Sequence, residues 1–437
     1  MELNPVRPQA RAQPAIPSTH ANLENMISLR LPTPKLREMV APMLAVMLLA
    51  AAVTAYSLHR YPRMEPLSGD EMHFVPTISL FGHGLSLDVL KHYEEMSGPF
   101  PFLVYAWFGR ATGSYDVTNL RLLSLAMGWL TVVLWGLLLV WLAPRNWIVL
   151  ALGMSILMFN PYIWHTSARV VTDMIAQFCL LAAVLGAFLE SPLVLALGLA
   201  GALLSRIYLV FFAGGLFAYY FLRAVLDREK KAWWMLGATV IAGLPQVALF
   251  LLWHGLCPQN EMQRLYLEGS IQYHPDALVM YIAALPIYIL PAMLWRWRTF
   301  AREKMAWVIG VPFASLFWAF PPGPSPSAVA VNLYEVGAVH RWAVKFAGGS
   351  RSGGEVVLFL CFIFGLPVFV WFVRDILARL ARKEHGLGLL LDLCVVFFMV
   401  VMPFSYLTWE KYLLPVLPLA CLRVLLLPES PEAPAER

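Results

Sequence analysis

Apolar residues in this chain come in long, nearly charge-free runs, as in LTVVLWGLLLVWL (130–142) and VVLFLCFIFGLPVFV (356–370). That pattern constrains the fold more than any other feature. Hydrocarbon offers no water to backbone N–H and C=O groups, so only helices and closed barrels can cross it. Barrel strands alternate apolar and polar residues over segments of about 10. These runs are longer and continuous, which predicts helices of about 20 residues each. Composition agrees: of 437 residues 59% are hydrophobic and 14% charged, against about 25% charged in soluble domains. A net charge of +5 is modest, and nothing in its distribution points to a nucleic-acid surface.

Twelve apolar stretches stand out, at 39–58, 119–142, 147–165, 173–190, 192–205, 207–225, 232–253, 277–294, 305–320, 355–373, 387–405 and 412–427. The expected fold is an all-α polytopic membrane bundle of roughly twelve transmembrane helices, occupying 39–427. A Pro-rich, basic segment (1–38) precedes it and a Pro- and Glu-rich one (428–437) follows; both read as disordered cytoplasmic tails. The first apolar run reads as a retained anchor, since no small-residue cleavage site follows it. The five cysteines, Cys179, Cys257, Cys361, Cys394 and Cys421, lack paired spacing and read as apolar filler. Of these, Cys257 falls in a loop.

Basic residues set the orientation. Arg145; Arg223, Arg228, Lys230 and Lys231; Arg296, Arg298, Arg302 and Lys304; and Arg374, Arg379, Arg382 and Lys383 fall in alternate loops. Placing these in the cytoplasm puts both termini there as well. The opposite side, taken as the periplasmic face of a bacterial inner membrane, receives the long loops 59–118 and 321–354. The first holds an amphipathic stretch, Gly98 to Phe108, suited to a helix lying in the interface.

Chemistry-bearing residues gather on that outer side. Asp70 and Glu71 follow the first span, with His73 close behind. A carboxylate at headgroup depth suits a base that takes a proton from an acceptor hydroxyl; the plain alternative is a solvated loop pair. Asp173 opens the fourth stretch and Arg169 stands four residues before it, the spacing of a helical salt bridge. Asp173 could equally face Asp70, orienting an acceptor or holding a divalent cation. Arg206 interrupts an apolar region, either snorkelling from a helix end or receiving a phosphate. Tyr334, Glu335, His340, Arg341 and Lys345 lie in the 321–354 loop, and Lys411 opens the last stretch. His254, His274 and His340 lack metal-ligand spacing. No cofactor is fixed by these residues, a divalent cation being the one candidate.

The order of these motifs resembles the GT-C superfamily of membrane glycosyltransferases. The residues that carry the resemblance are Asp70-Glu71 after the first span, Gly98-Pro99 in the same loop, Asn119-Leu120-Arg121 opening the second, Arg169 to Asp173, and Lys411-Tyr412-Leu413-Leu414-Pro415. The last two are similar to motifs of the protein O-mannosyltransferase and aminoarabinose-transferase branch. The acidic pair and Ser205-Arg206 also resemble the dolichyl-phosphate-glucose alpha-1,2-glucosyltransferases, although His73 stands one position nearer the pair than in that pattern. The resemblance implies an inverting transfer of a sugar from a polyprenyl-phosphate donor to a hydroxyl of a lipid, glycan or protein. It implies Asp70 as base, Glu71 and Asp173 as supporting carboxylates, and His73, Arg169, Arg206, His340, Arg341 and Lys411 as substrate-binding candidates. Other readings of the same chain are a twelve-helix transporter, an oligosaccharide ligase with its site in 321–354, or a non-catalytic protein of the same fold.

Overall fold

A computed structural model describes residues 36–143, 146–262, 272–324, 329, 336–405 and 408–426. Among them there is no strand; helices joined by turns and irregular loops make them up. Each of the twelve apolar stretches carries a helix. Six helices are long and apolar enough to cross a membrane: Glu38–Arg60, Val117–Leu142, Ile207–Val225, Lys230–Trp253, Arg351–Arg382 and Leu387–Phe404. A seventh is formed if Trp147–Met158 and Pro161–Ala168, which meet at 61°, are counted as one bent span. The other five stretches hold shorter apolar helices, Asp173–Phe188, Pro192–Leu203, Pro275–Tyr288, Lys304–Ala319 and Val416–Leu425. Almost all of the expected tail 1–38, together with Arg145, Tyr334, Glu335 and the tail 428–437, lies outside the described residues.

Local chemistry sets the helix ends. Proline occupies the first turn at Pro99, Pro161, Pro192 and Pro275, where its missing N–H costs nothing. Asn146, Asn160 and Ser350 cap the helices that follow them, accepting from Val149, Tyr162 and Gly353 N–H at 3.0, 2.9 and 3.1 Å, which satisfies otherwise orphaned donors. Pro245 and Pro367 sit inside long helices, as neighbouring helices in a bundle permit.

Helices Asp173–Phe188 and Pro192–Leu203 form a tight antiparallel pair, and the Val117–Leu142 helix packs against both Leu36–Arg60 and the Asp173 helix. Further along, Val210–Val225 lies on Leu387–Val401, and Pro275–Tyr288 on Arg351–Arg382. The Gly98–Phe108 stretch is helical, within Pro99–Thr112. One face of it, including Phe102, Tyr105 and Ala106, is buried, while Trp107 is exposed. Cys257 lies in a loop, as read, just after the Lys230–Trp253 helix, and is buried there.

Ion pairs connect loops within each of the two sets separated by the basic-residue pattern. Glu190 pairs with Arg223 and Lys231, and Glu303 with Arg374, on the basic-loop side. Asp70 pairs with Lys411, and Asp173 with Arg206, in the other set. A further cluster escaped the sequence reading: Arg423 donates to Asp392 at 2.7 Å and to Asp375 at 2.6 Å, and its guanidinium lies over Trp371. It fastens the three C-terminal helices together inside apolar surroundings, where an unpaired charge would be costly.

Candidate functional site

Asp70 stands at the start of helix Glu71–His83, just after a turn that needs a left-handed backbone at Gly69 (φ 57°). Lys411 lies in a single 3-10 turn, Glu410–Leu413, ahead of the last helix. The fold brings them together across 341 positions of chain, with Lys411 Nζ donating to Asp70 Oδ2 at 3.2 Å. The ammonium of Lys411 holds the Asp70 carboxyl below the usual carboxylate range, against the opposing effects of burial and of Asp173. For Lys411 itself burial disfavours the charge, but Asp173 and Asp70 outweigh it and raise its pKa. The side chain of Asp70 is 41% exposed, against 11% for Lys411, so the carboxylate is the member of the pair that an incoming molecule can reach.

Asp173 begins the fourth apolar helix and is buried. Its partner is Arg206, whose NH2 donates to Oδ2 at 2.7 Å and whose NH1 donates to Ser97 Oγ at 3.0 Å. Gly98 makes this docking possible. Its N–H donates to Ser205 C=O at 3.2 Å, and a Cβ there would lie 2.0 Å from Leu204 C=O. Asp173 and Arg206 both act electrostatically on Asp70, as Asp173 and Asp70 do on the half-buried His165. Two carboxylates and two cations thus share one neighbourhood. The helical pairing of Asp173 with Arg169 does not form, because the helix breaks at Arg169, whose backbone is extended (φ −115°). Nor does Arg206 snorkel: it turns inward to Asp173.

Glu71 faces the other way. It is fully buried and accepts from Arg121, whose Nε lies 2.8 Å from Oε1 and whose NH2 bonds Oε2. The remaining donors of Arg121 reach the carbonyls of Arg63, Glu65 and Pro66 at 2.7, 2.6 and 3.2 Å. All five guanidinium N–H groups are used, the full inventory of that side chain. Glu71 Oε1 also accepts from Val170 N–H at 2.9 Å, and Arg169 lies 3.6 Å from Oε2 while bonding Glu65. The acidic pair therefore divides its work: Asp70 opens to the site, and Glu71 ties the segment before Asp70 to the segment before Asp173. Tyr105 supports the latter, donating to Val171 C=O at 3.2 Å.

The other candidates take outer or supporting positions. His73 is exposed on the helix after Asp70. His340 is buried and accepts from Val336 N–H at 3.3 Å, while Arg341 on the same helix, Ala338–Phe346, is exposed. That helix starts against Glu410, which the sequence reading passed over. No group of three or more His, Cys, Asp and Glu side chains is placed to hold a metal ion among the described residues.

An apolar cavity of about 410 Å³ opens beside the bundle, lined among others by Leu290, Trp297, Trp307, Trp342, Phe364 and Trp371. Trp342 belongs to the same helix as His340 and Arg341, so that helix forms part of the cavity wall. Arg121, read only as part of a motif, and Glu410, passed over, had weak signals. Arg121 opens a span and Glu410 adjoins Lys411, but what makes each matter is a partner distant in sequence. The chain matches no family model, no curated protein and no solved structure.

Proposed function

We propose that the protein is an inverting glycosyltransferase that moves a sugar from a polyprenyl-phosphate donor to a hydroxyl of a lipid, glycan or protein acceptor. The observation that carries this reading is the juxtaposition of an accessible Asp70 with Lys411 at 3.2 Å and of Asp173 with Arg206 at 2.7 Å. Base and phosphate-binding cations are then within one site, as such a transfer requires.

In this reading the donor phosphate competes with the carboxylates for Lys411 and Arg206. As Lys411 turns to the phosphate, Asp70 loses the charge that holds its pKa down and becomes a stronger base. Asp70 takes the proton of the acceptor hydroxyl while the acceptor oxygen bonds the anomeric carbon from the face opposite the phosphate. The bond from that carbon to the phosphate oxygen breaks, and polyprenyl phosphate leaves on the two cations. Asp173 holds Arg206 in place, Glu71 holds the frame, and Arg341 and His73 stand at the rim. The apolar cavity takes part of the polyprenyl chain. All twelve apolar stretches cross or enter the membrane, with both termini cytoplasmic and the charged cluster on the periplasmic side of a bacterial inner membrane.

The test is sugar release from a panel of labelled polyprenyl-phosphate sugars by the wild type and by Asp70→Asn. Release by the wild type and none by a well-inserted Asp70→Asn is expected. Equal release by both would remove Asp70 from the chemistry, and no release from any donor would overturn the donor class.

A further inference from the structure

Glu410 immediately precedes Lys411, yet its side chain points to a different set of partners. Its Oε2 accepts from Val339 N–H at 2.8 Å and from Tyr288 Oη at 2.9 Å, and its Oε1 accepts from His340 N–H at 2.9 Å. Tyr162 Oη accepts from the preceding Ala338 N–H at 2.8 Å. Three consecutive N–H donors at the start of helix Ala338–Phe346, which a helix leaves unpaired, are thus satisfied by side chains from distant elements. The Glu410 backbone N–H adds a bond to Val336 C=O at 3.0 Å.

The packing allows little else at this point. Glu410 is 1% exposed, and its carboxylate is met by hydrogen bonds, an expensive way to bury a charge. A Cβ on Gly337 would lie 2.5 Å from Glu410 and 2.5 Å from Tyr162 Oη, so the two segments approach as closely as glycine permits. One turn of chain therefore presents two side chains to two places. Glu410 grips the helix that carries Trp342, a wall of the apolar cavity, and Lys411 reaches Asp70.

We infer that Glu410 is a positioning residue: by clamping the start of helix Ala338–Phe346 it fixes where the Lys411 ammonium sits relative to Asp70 and to the apolar cavity. The inference rests on the proposed transferase reading for its catalytic meaning, since it sets the spacing between a lipid chain in the cavity and a phosphate on Lys411. Its geometric content can be tested without turnover.

The experiment compares wild type, Glu410→Gln and Tyr288→Phe, purified as full chains in detergent. An amine-acylating reagent is applied briefly, and modification of Lys411 is quantified by peptide mass spectrometry against Lys383, which is exposed and lies outside the clamped helix. Gln keeps the shape of Glu but cannot accept at both oxygens. Lys411 should label roughly tenfold faster in Glu410→Gln, with Lys383 unchanged, and by a smaller factor in Tyr288→Phe. A folded Glu410→Gln with wild-type labelling of Lys411 would overturn the inference. Should that variant fail to fold, Tyr288→Phe decides, and wild-type labelling there overturns it equally. Absence of turnover by the wild type with every lipid-linked sugar would instead count against the transferase reading and leave the labelling result standing.

Discussion

Replacing Arg121 tests whether the frame behind Asp70 is held as one unit. Arg121 is fully buried and donates five hydrogen bonds, two to Glu71 and three to the carbonyls of residues 63, 65 and 66. Arg121→Met keeps an unbranched apolar stem and removes every donor. Glu71 is then left with Val170 N–H, with Ser68 N–H at 3.4 Å, and with Arg169, 3.6 Å away and already engaged with Glu65. Breaking a buried pair from one side costs about 3–5 kcal/mol, and the freed carbonyls push the value towards the upper end. Glu71→Gln leaves the three carbonyl bonds of Arg121 in place, so its cost should be smaller, about 1.5–3 kcal/mol for the charge-assisted bonds. The double variant buries no lone carboxylate. Its cost should therefore fall short of the sum of the single costs by about 1–3 kcal/mol. Equilibrium unfolding in mixed micelles, read by tryptophan fluorescence, measures all three. Strict additivity, or a loss below about 1 kcal/mol in Arg121→Met, would refute the claim that Glu71 and Arg121 form the frame.

Three further outcomes follow from the cluster. Because Lys411 lowers the Asp70 pKa while burial and Asp173 raise it, Lys411→Met should move the acid limb of the pH–rate profile upward, with a lower plateau; a limb that stays put would show that Asp70 is not the titrating group. For stability the signs are opposite for the two partners. The contribution of Asp70 is present above its unfolded value near about 3.9 and is lost as pH falls through the lowered folded value, whereas that of Lys411 is present below about 10.4 and is lost as pH rises through the raised one. Gly98→Ala places a Cβ against Leu204 C=O and should cost about 1–3 kcal/mol as an overpacked contact, displacing Arg206 from Ser97; an unchanged melting temperature in detergent would count against the docking role of Gly98.

What could be read from the sequence and what could not separates along one physical line. Hydrocarbon imposes a single local rule, so each of the twelve apolar stretches announced its helix. It does not fix length: five of the helices are shorter than a span, because neighbours can satisfy backbone groups that lipid cannot. Asp70, Asp173, Arg206 and Lys411 were visible as charges that an apolar chain would otherwise avoid. Which of them pair was not, since the pairings cross 33 and 341 positions of sequence. The Arg169–Asp173 spacing misled for a definite reason. An i, i+4 argument presumes an unbroken helix, and here the helix stops at Arg169 so that Val170 N–H can reach Glu71. Glu410 was less legible still, because two of its partners are backbone N–H groups, which every residue but proline carries and which leave no mark in a sequence. The Asp-Glu pair makes the same point most sharply. Two adjacent carboxylates read as one acidic motif, yet residue 70 begins a helix with its side chain half-exposed, while residue 71 turns into the bundle against a fully committed guanidinium. A step of one position is enough to separate a group open to an incoming molecule from the group that keeps it in place.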